Sequence, residues 1–174
     1  MRIKTAIFIA AFLSLLPCIQ SEAQDSLMFK VERLSLNSGP FSEISPVITS
    51  DGIIFCSDRR TSGITYRTSF DNRRLYNIYI AERKDSSDWR KPVMLKSERS
   101  DLFNNGPLCI APDGITVYFT SEIETGVSTK SRKFMNRSGI FTGQLSGNEI
   151  LSIQPLKFNN PEFNLGQPSV SSDG

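Results

Sequence analysis

The chain of 174 residues contains no histidine. That absence excludes Ser-His-Asp catalysis, cysteine–histidine pairs and every zinc site built on imidazole. Cysteine is scarce: of three, Cys18 lies in the apolar leader, which leaves Cys56 and Cys109. Two dispersed cysteines cannot form a Cys-only structural metal site, and no Gly-rich phosphate loop or dinucleotide fingerprint is present. An excess of either charge is also missing, with 20 basic against 18 acidic residues. So balanced a chain gives no electrostatic case for nucleic acid. Beyond the leader, no apolar run is long enough to span a bilayer, and no stretch holds a sustained 3.6-residue period. The expectation is almost no helix, and no cofactor or metal.

The leader itself reads as an export signal. Arg2 and Lys4 give a positive start, Ile7 to Leu16 form an apolar run broken only by Ser14, and Ser21-Glu22-Ala23 places small residues where a signal peptidase inspects. Residues 1–23 are therefore expected to be cleaved, leaving no transmembrane span and an exported chain, periplasmic or associated with an outer membrane. A signal-anchor helix is the rival reading. Cys18 opens a lipoprotein alternative, although Pro17 before it is a poor fit to that processing. In an exported protein Cys56 and Cys109 could pair. They stand at different places relative to Asp51 and Asp113, so buried, unpaired strand cysteines are the preferred reading.

What the chain does contain is a repeat. Phe41, Phe103 and Phe163 each precede an Asp-Gly pair by ten residues (Asp51-Gly52, Asp113-Gly114, Asp173-Gly174), giving spacings of 62 and 60. Pro46, Pro107 and Pro168 lie between the landmarks. Self-similarity at a fixed period marks a repeat architecture. Within the first copy, an extended segment at Ser45–Thr49 leads through Asp51-Gly52 into Ile53–Ser57, the strand–turn–strand pattern of a hairpin. Glycine there offers the positive φ of a tight turn, and proline suits the start of a strand. The second copy repeats this at Leu108–Ile110 and Ile115–Thr120. Its proline lies one residue further from the Asp, which predicts a slightly different register. A third strand is expected at Tyr76–Ile80 and Gly139–Gly143, and a fourth at Pro92–Leu95 and Ile150–Ile153. Four antiparallel strands per unit make one propeller blade. The third copy stops at its turn, so the chain is expected to be a piece of something longer that folds poorly alone.

Pro46-Val47-Ile48-Thr49-Ser50-Asp51-Gly52-Ile53-Ile54-Phe55-Cys56-Ser57-Asp58-Arg59 resembles the TolB-type, WD-like β-propeller repeat, in which a proline precedes Ser/Pro-Asp-Gly and an apolar strand ends in Ser and a basic residue. Asn77-Ile78-Tyr79 is similar to the later strand of that repeat. Trp89-Arg90-Lys91-Pro92-Val93-Met94-Leu95 resembles the Trp-x-x-Pro-x-x-Leu element of its Bacteroidetes versions. The resemblance implies an all-β fold of propeller blades, incomplete here. Its parts are an N-terminal extension or closing strand at 24–40, blade 1 at 41–102, blade 2 at 103–162, and the start of blade 3 at 163–174. It also implies an exported envelope protein of a kind often joined to an OmpA-like domain, which this chain lacks. Propellers host many roles, so fold alone does not give function.

Two sets of residues are candidates for chemistry. The carboxylates of Asp51, Asp113 and Asp173 could act in pairs, as in glycoside cleavage. The preferred reading is that each caps its own turn beside Gly52, Gly114 or Gly174, since repetition separates them. The second set lies in the long connections from second to third strand. Residues 58–75 carry five basic and two acidic residues, and residues 122–138 four basic and two acidic, leaving the remainder of the mature chain net negative. Arg73, Arg74, Lys130, Arg132, Lys133 and Arg137 are the expected contacts, with Tyr66, Phe70 and Phe134 adding aromatic surface. Strand alternation puts both loops on one face, where a rigid scaffold would present them to an anionic partner. That partner would be an acidic envelope protein, peptidoglycan or lipopolysaccharide. Loops that are only soluble spacers are the competing reading. The expected function is a non-catalytic binding or scaffolding module of the bacterial envelope. The alternative is the propeller of an exported peptidase or other hydrolase with its catalytic domain elsewhere.

Overall fold

The β-branched and aromatic segments form eight strands and no helix among the described residues of the computed structural model, which are 29–59, 68–69, 72–86, 88–123 and 137–173. In the first sheet β1 (Glu43–Ile48), β2 (Gly52–Ser57), β3 (Asn77–Glu82) and β4 (Val93–Met94) are hydrogen-bonded in chain order, all antiparallel. In the second, β5 (Asn105–Ile110), β6 (Thr116–Glu122), β7 (Ser138–Ser146) and β8 (Glu149–Pro155) repeat that order. The all-β, four-stranded antiparallel expectation holds. The sheets are two separate meanders, not closed into a ring. Both belong to one compact unit, Arg33–Gly174. The signal-peptide reading of residues 1–23, Cys18 included, lies outside the described residues.

Alternation assigns the two faces of each strand. Ile54, Cys56 and Ile78 share one face of the first sheet and enter a common core with Leu108, Val117, Phe119 and Phe141 of the second. Ile53, Phe55, Tyr79 and Ala81 share the opposite face, where Leu36 covers them. All six residues of β2 are consequently buried. Each large apolar side chain so enclosed contributes about 1.5–3 kcal/mol relative to exposure. Both cysteines are free, Cys56 buried and Cys109 half-buried.

The prolines are placed differently from the sequence expectation. Pro46 and Pro107 lie inside β1 and β5, not at their first residues, and each sits in a one-residue bulge (between Ile44 and Val47, and between Asn105 and Leu108). A bulge leaves one residue out of the ladder, so the missing N–H breaks no pairing. The extra residue of spacing in the second copy does not move the bulge. In all three copies the residue before the proline takes positive φ: 53° at Ser45, 102° at Gly106 and 57° at Gln167.

The two Asp-Gly turns also differ. Gly114 has φ of 71°, as a tight turn requires, and a side chain there would meet open space. Gly52 is not in the left-handed region. It is instead needed because a Cβ would collide with the carbonyl oxygen of Ala81 across the β2–β3 ladder. The first turn is held by Thr49, whose N–H donates to the Gly52 carbonyl at 3.0 Å and whose Oγ1 accepts from the Gly52 N–H at 3.1 Å.

The third copy repeats the docking of the second. The Tyr76 N–H donates to Asn104 Oδ1 at 3.0 Å, and the Asn105 N–H to the Tyr76 carbonyl at 2.9 Å. In the next copy the Ser138 N–H donates to Asn164 Oδ1 at 3.0 Å, and the Leu165 N–H to the Ser138 carbonyl at 2.8 Å. Gly106 lies against Cys56, and Gly166 against Thr120, which holds the place in β6 that Cys56 holds in β2. The start of one repeat is latched to the third strand of the repeat before it.

Candidate functional site

In a four-stranded meander the first strand starts, the second ends, the third starts and the fourth exits at the same end. Both basic connections therefore leave from the end at which β1 and β5 begin. The latch at Tyr76 brings these ends together, since the start of β3 is bonded to the start of β5.

Within the first connection the chain returns to β3 through a tight turn. The Ser69 N–H donates to the Arg73 carbonyl at 2.8 Å, the Asn72 N–H to the Ser69 carbonyl at 3.0 Å, and Thr68 bridges Arg74. Asn72 has φ of 63°, a conformation asparagine tolerates better than most side chains. The turn delivers Arg73 exposed and Arg74 half-buried, with the Arg74 guanidinium 5.0 Å from the centre of the Phe41 ring. Pro40, Phe41, Asp58, Arg73, Arg74 and Tyr76 line a groove of about 490 Å³. Asp58 is oriented by the Ser42 N–H, which donates to its Oδ1 at 2.8 Å.

Arg59, next in sequence to Asp58, ends the strand run. Its guanidinium lies 4.9 Å from the Phe55 ring centre and 5.3 Å from that of Tyr79. It also donates to Glu43 Oε1 at 2.9 Å, with both side chains 13% exposed. Such an enclosed pair is defined by what its loss would leave behind, an unpaired charge. The Tyr79 hydroxyl donates to the Arg59 carbonyl at 3.1 Å. Burial, helped by the Asp101 carboxylate and opposed by Arg59, pushes the Tyr79 phenol up to about 12. Burial alone pushes the Cys56 thiol up to about 12, so it is no nucleophile.

In the second sheet the corresponding place is filled from elsewhere. Arg99, on the connection from β4 to β5, stands 4.1 Å from the Phe141 ring centre and 4.3 Å from that of Phe103. It donates to Ser121 Oγ at 2.9 Å and to the Glu122 carbonyl. Ser121 in turn donates to Asn105 Oδ1 at 2.8 Å. Arg137 is half-buried at the neck of the second connection, where its carbonyl accepts the Ile123 N–H.

The Asp-Gly carboxylates lie at turns of their own. Asp113 Oδ1 accepts the N–H groups of Ile115 at 2.9 Å and Thr116 at 2.8 Å, and its Oδ2 accepts the Thr116 hydroxyl at 2.6 Å. Those bonds, the Thr116 hydroxyl first, hold the carboxyl below the usual range. Asp173 is likewise lowered, chiefly by Ser171. At the first turn Asp51 contributes its carbonyl, which accepts the Arg83 N–H at 2.8 Å. This is turn chemistry, not an acid–base pair.

Of the basic residues expected to meet a partner, the structure brings Arg73 and Arg74 together in one groove and places Arg137 on the other connection. Lys130, Arg132 and Lys133 lie outside the described residues, as do Arg60, Arg67, Tyr66, Phe70, Phe134 and Gly174. Sequence reasoning missed Arg99, Glu43 and the latch asparagines. The signal for the latch was present: Phe103-Asn104-Asn105-Gly106 and Phe163-Asn164-Leu165-Gly166 share Phe, Asn and Gly at equal spacing. Compared with known proteins, the chain matches no family model, no curated protein and no solved structure.

Proposed function

We propose that this chain is a non-catalytic binding module, built of TolB-like propeller blades, that presents the loop-bearing end of its sheets to an anionic partner in the bacterial envelope. The observation that carries this reading is the groove formed where Arg73 and Arg74 meet Phe41 at the edge of a rigid sheet. A scaffold that latches each repeat to the next, with long cationic connections on the latched end, suits recognition better than turnover. The repeated latch also favours the blade reading, because the same hydrogen bonds recur from copy to copy. The chain has no histidine, and among the described residues the Asp113 and Asp173 carboxylates bond within separate turns and burial keeps the Cys56 thiol protonated.

The test uses the mature chain and a variant in which Arg73, Arg74, Arg132 and Lys133 are all replaced by glutamine. Wild type is expected to co-sediment with sacculus or outer-membrane fractions, and the variant to lose most of that association at low salt, where screening is weakest. Equal sedimentation of the two chains would end this reading.

A further inference from the structure

We propose that residues 163–173 act as a spare first strand, which replaces β1 in a second molecule of this chain and joins the molecules head to tail. The Glu43–Arg59 ion pair is the lock that holds the exchange back. This goes beyond the anionic-partner reading and does not rest on it.

The two segments match in sequence and in backbone. Phe41, Pro46, Ser50, Asp51 and Gly52 recur at one constant offset as Phe163, Pro168, Ser172, Asp173 and Gly174. The residue before each proline takes nearly the same φ, 53° at Ser45 and 57° at Gln167. β1 is paired with β2, whereas among the described residues no strand pairs with 163–173. The latch at Asn164 and Leu165 already orders the start of that segment, so less freedom is lost when it pairs.

The sheet faces match as well. The register pairs Ile53–Ala81 and Phe55–Tyr79 of the first sheet recur as Val117–Gly143 and Phe119–Phe141 in the second. In the second sheet this face shares a core with Ile54, Cys56 and Ile78 of the first. In the first sheet it is covered by Leu36, on a turn closed by the Asn37 N–H on the Leu34 carbonyl at 3.1 Å. Side chains fasten that turn, Ser35 to Asp88 at 2.9 Å and Ser38 to Glu43 at 2.6 Å. Because the turn directly precedes β1, it leaves with β1. The uncovered face then seats on the half-exposed Tyr118, Thr120, Ile140 and Thr142 of the other molecule. Those are the register equivalents of Ile54, Cys56, Ile78 and Ile80, so the new contact repeats the one inside the chain. A contact of this kind is heterologous and extends beyond dimers.

One substitution between the segments opposes the exchange. Phe163, 48% exposed, takes the place of Phe41, but Leu165 stands where Glu43 stands. Exchange therefore leaves Arg59, only 13% exposed, without its carboxylate, and an enclosed charge without its partner is costly.

Sedimentation velocity of the mature chain reads the association. Wild type is expected to be monomeric at micromolar concentration. Glu43→Gln removes the lock from both forms and should tighten self-association about a hundredfold, giving dimers and longer species. Adding Ser169→Pro should return the protein to monomer. Ser169 is exposed and lies outside every strand, but it holds the place of Val47, which pairs with Ile54, and proline there removes a ladder N–H. A labelled peptide of residues 163–174 should bind the Glu43→Gln chain about a hundredfold more tightly than wild type, and lose binding when it carries Ser169→Pro. If Glu43→Gln fails to fold, wild type at a hundredfold higher concentration carries the same test: it should associate, and the Ser169→Pro chain should not. The proposal is overturned if folded Glu43→Gln stays monomeric, if it gains no affinity for the peptide, or if Ser169→Pro leaves association unchanged, the mark of non-specific aggregation.

Discussion

The two sheets share strand order, bulge and latch, yet their second strands live in different surroundings. β2 is buried along its whole length, while β6 alternates between buried and half-exposed residues. The reason is what stands on each side. The first sheet is enclosed by Leu36 on one face and by the second sheet on the other. The second sheet has a partner sheet on the side of Val117 and Phe119 only. On its far face, which carries Thr116, Tyr118 and Thr120, Thr120 meets the segment at Gly166, where the Gln167 N–H donates to Thr120 Oγ1 at 2.9 Å. Side-chain choice follows the difference: isoleucine and cysteine face the neighbouring sheet, threonine and tyrosine face the sparsely covered side.

A sharper form of the comparison is the closeness of the latch in each copy. A Cβ at Gly106 would collide with Cys56 Sγ, and φ there is 102°. A Cβ at Gly166 would meet the Thr120 side chain at 3.1 Å, a contact that a small movement relieves. Gly106→Ala is therefore expected to cost about 4 kcal/mol, combining overpacking with backbone strain. Gly166→Ala should cost about 1 kcal/mol. Urea unfolding of the mature chain reads both. Adding Cys56→Ala should restore part of the loss at Gly106, the overpacking part, and none of the φ part. Equal costs at the two glycines would mean that Gly106 is seated no more tightly than Gly166.

The next largest effect separates the two arginines. Phe55 with Tyr79 and Phe119 with Phe141 are equivalent aromatic pairs, whose centres lie 6.0 Å and 6.1 Å apart; Arg59 covers both rings of the first, while Arg99 covers Phe141 of the second together with Phe103. Arg59 comes from the end of β2 and pairs with Glu43. At the position equivalent to Glu43 the second sheet carries neutral Asn105. Arg59→Ala strands an enclosed carboxylate and is expected to cost about 3 kcal/mol, much of it recovered by adding Glu43→Gln. Arg99→Ala removes hydrogen bonds to Ser121 and to the Glu122 carbonyl while Ser121 and Asn105 remain bonded to each other, and should cost about 1.5 kcal/mol. The double-mutant cycle between Arg59 and Glu43 is the measurement that decides.

These contrasts mark what could be read from residues alone. Strand positions followed from β-branched runs and Asp-Gly turns, because both signals are local. The burial of β2 on two faces was implicit in Ile53-Ile54-Phe55-Cys56, which does not alternate in polarity. Arg99 was illegible for a physical reason: its aromatic partners lie four and forty-two positions away, and no spacing rule links a connecting segment to the sheet it will cover. Gly52 misled because two demands share one residue type. Its neighbour in sequence is a turn, but its constraint is the backbone of Ala81 on another strand. The groove was half legible. Clustered arginines pointed to the connection, while Phe41 and Asp58 join it only once the sheet has formed.

The smallest expected effect tests the comparison most directly. Asn104 and Asn164 each accept a backbone N–H at 3.0 Å, but Asn104 also donates to Glu122 at 2.7 Å and is half-buried, whereas Asn164 is exposed. Removing the half-buried Asn104 and its bond to the Glu122 carboxylate should cost about 1.5 kcal/mol; removing the exposed Asn164, whose Oδ1 accepts the Ser138 N–H and hydroxyl, should cost about 0.5 kcal/mol. The smaller value is hard to separate from error in an unfolding curve, so hydrogen exchange is the better readout. In wild type the amides of Ser138, Leu165 and Gln167 all donate within the protein and should exchange slowly. Asn164→Ala should speed those three amides together and leave Tyr76 and Asn105 as they were. Asn104→Ala should do the reverse. If Leu165 already exchanges in wild type at the rate of a free peptide, the third copy is not latched, and the equivalence between the two junctions is lost.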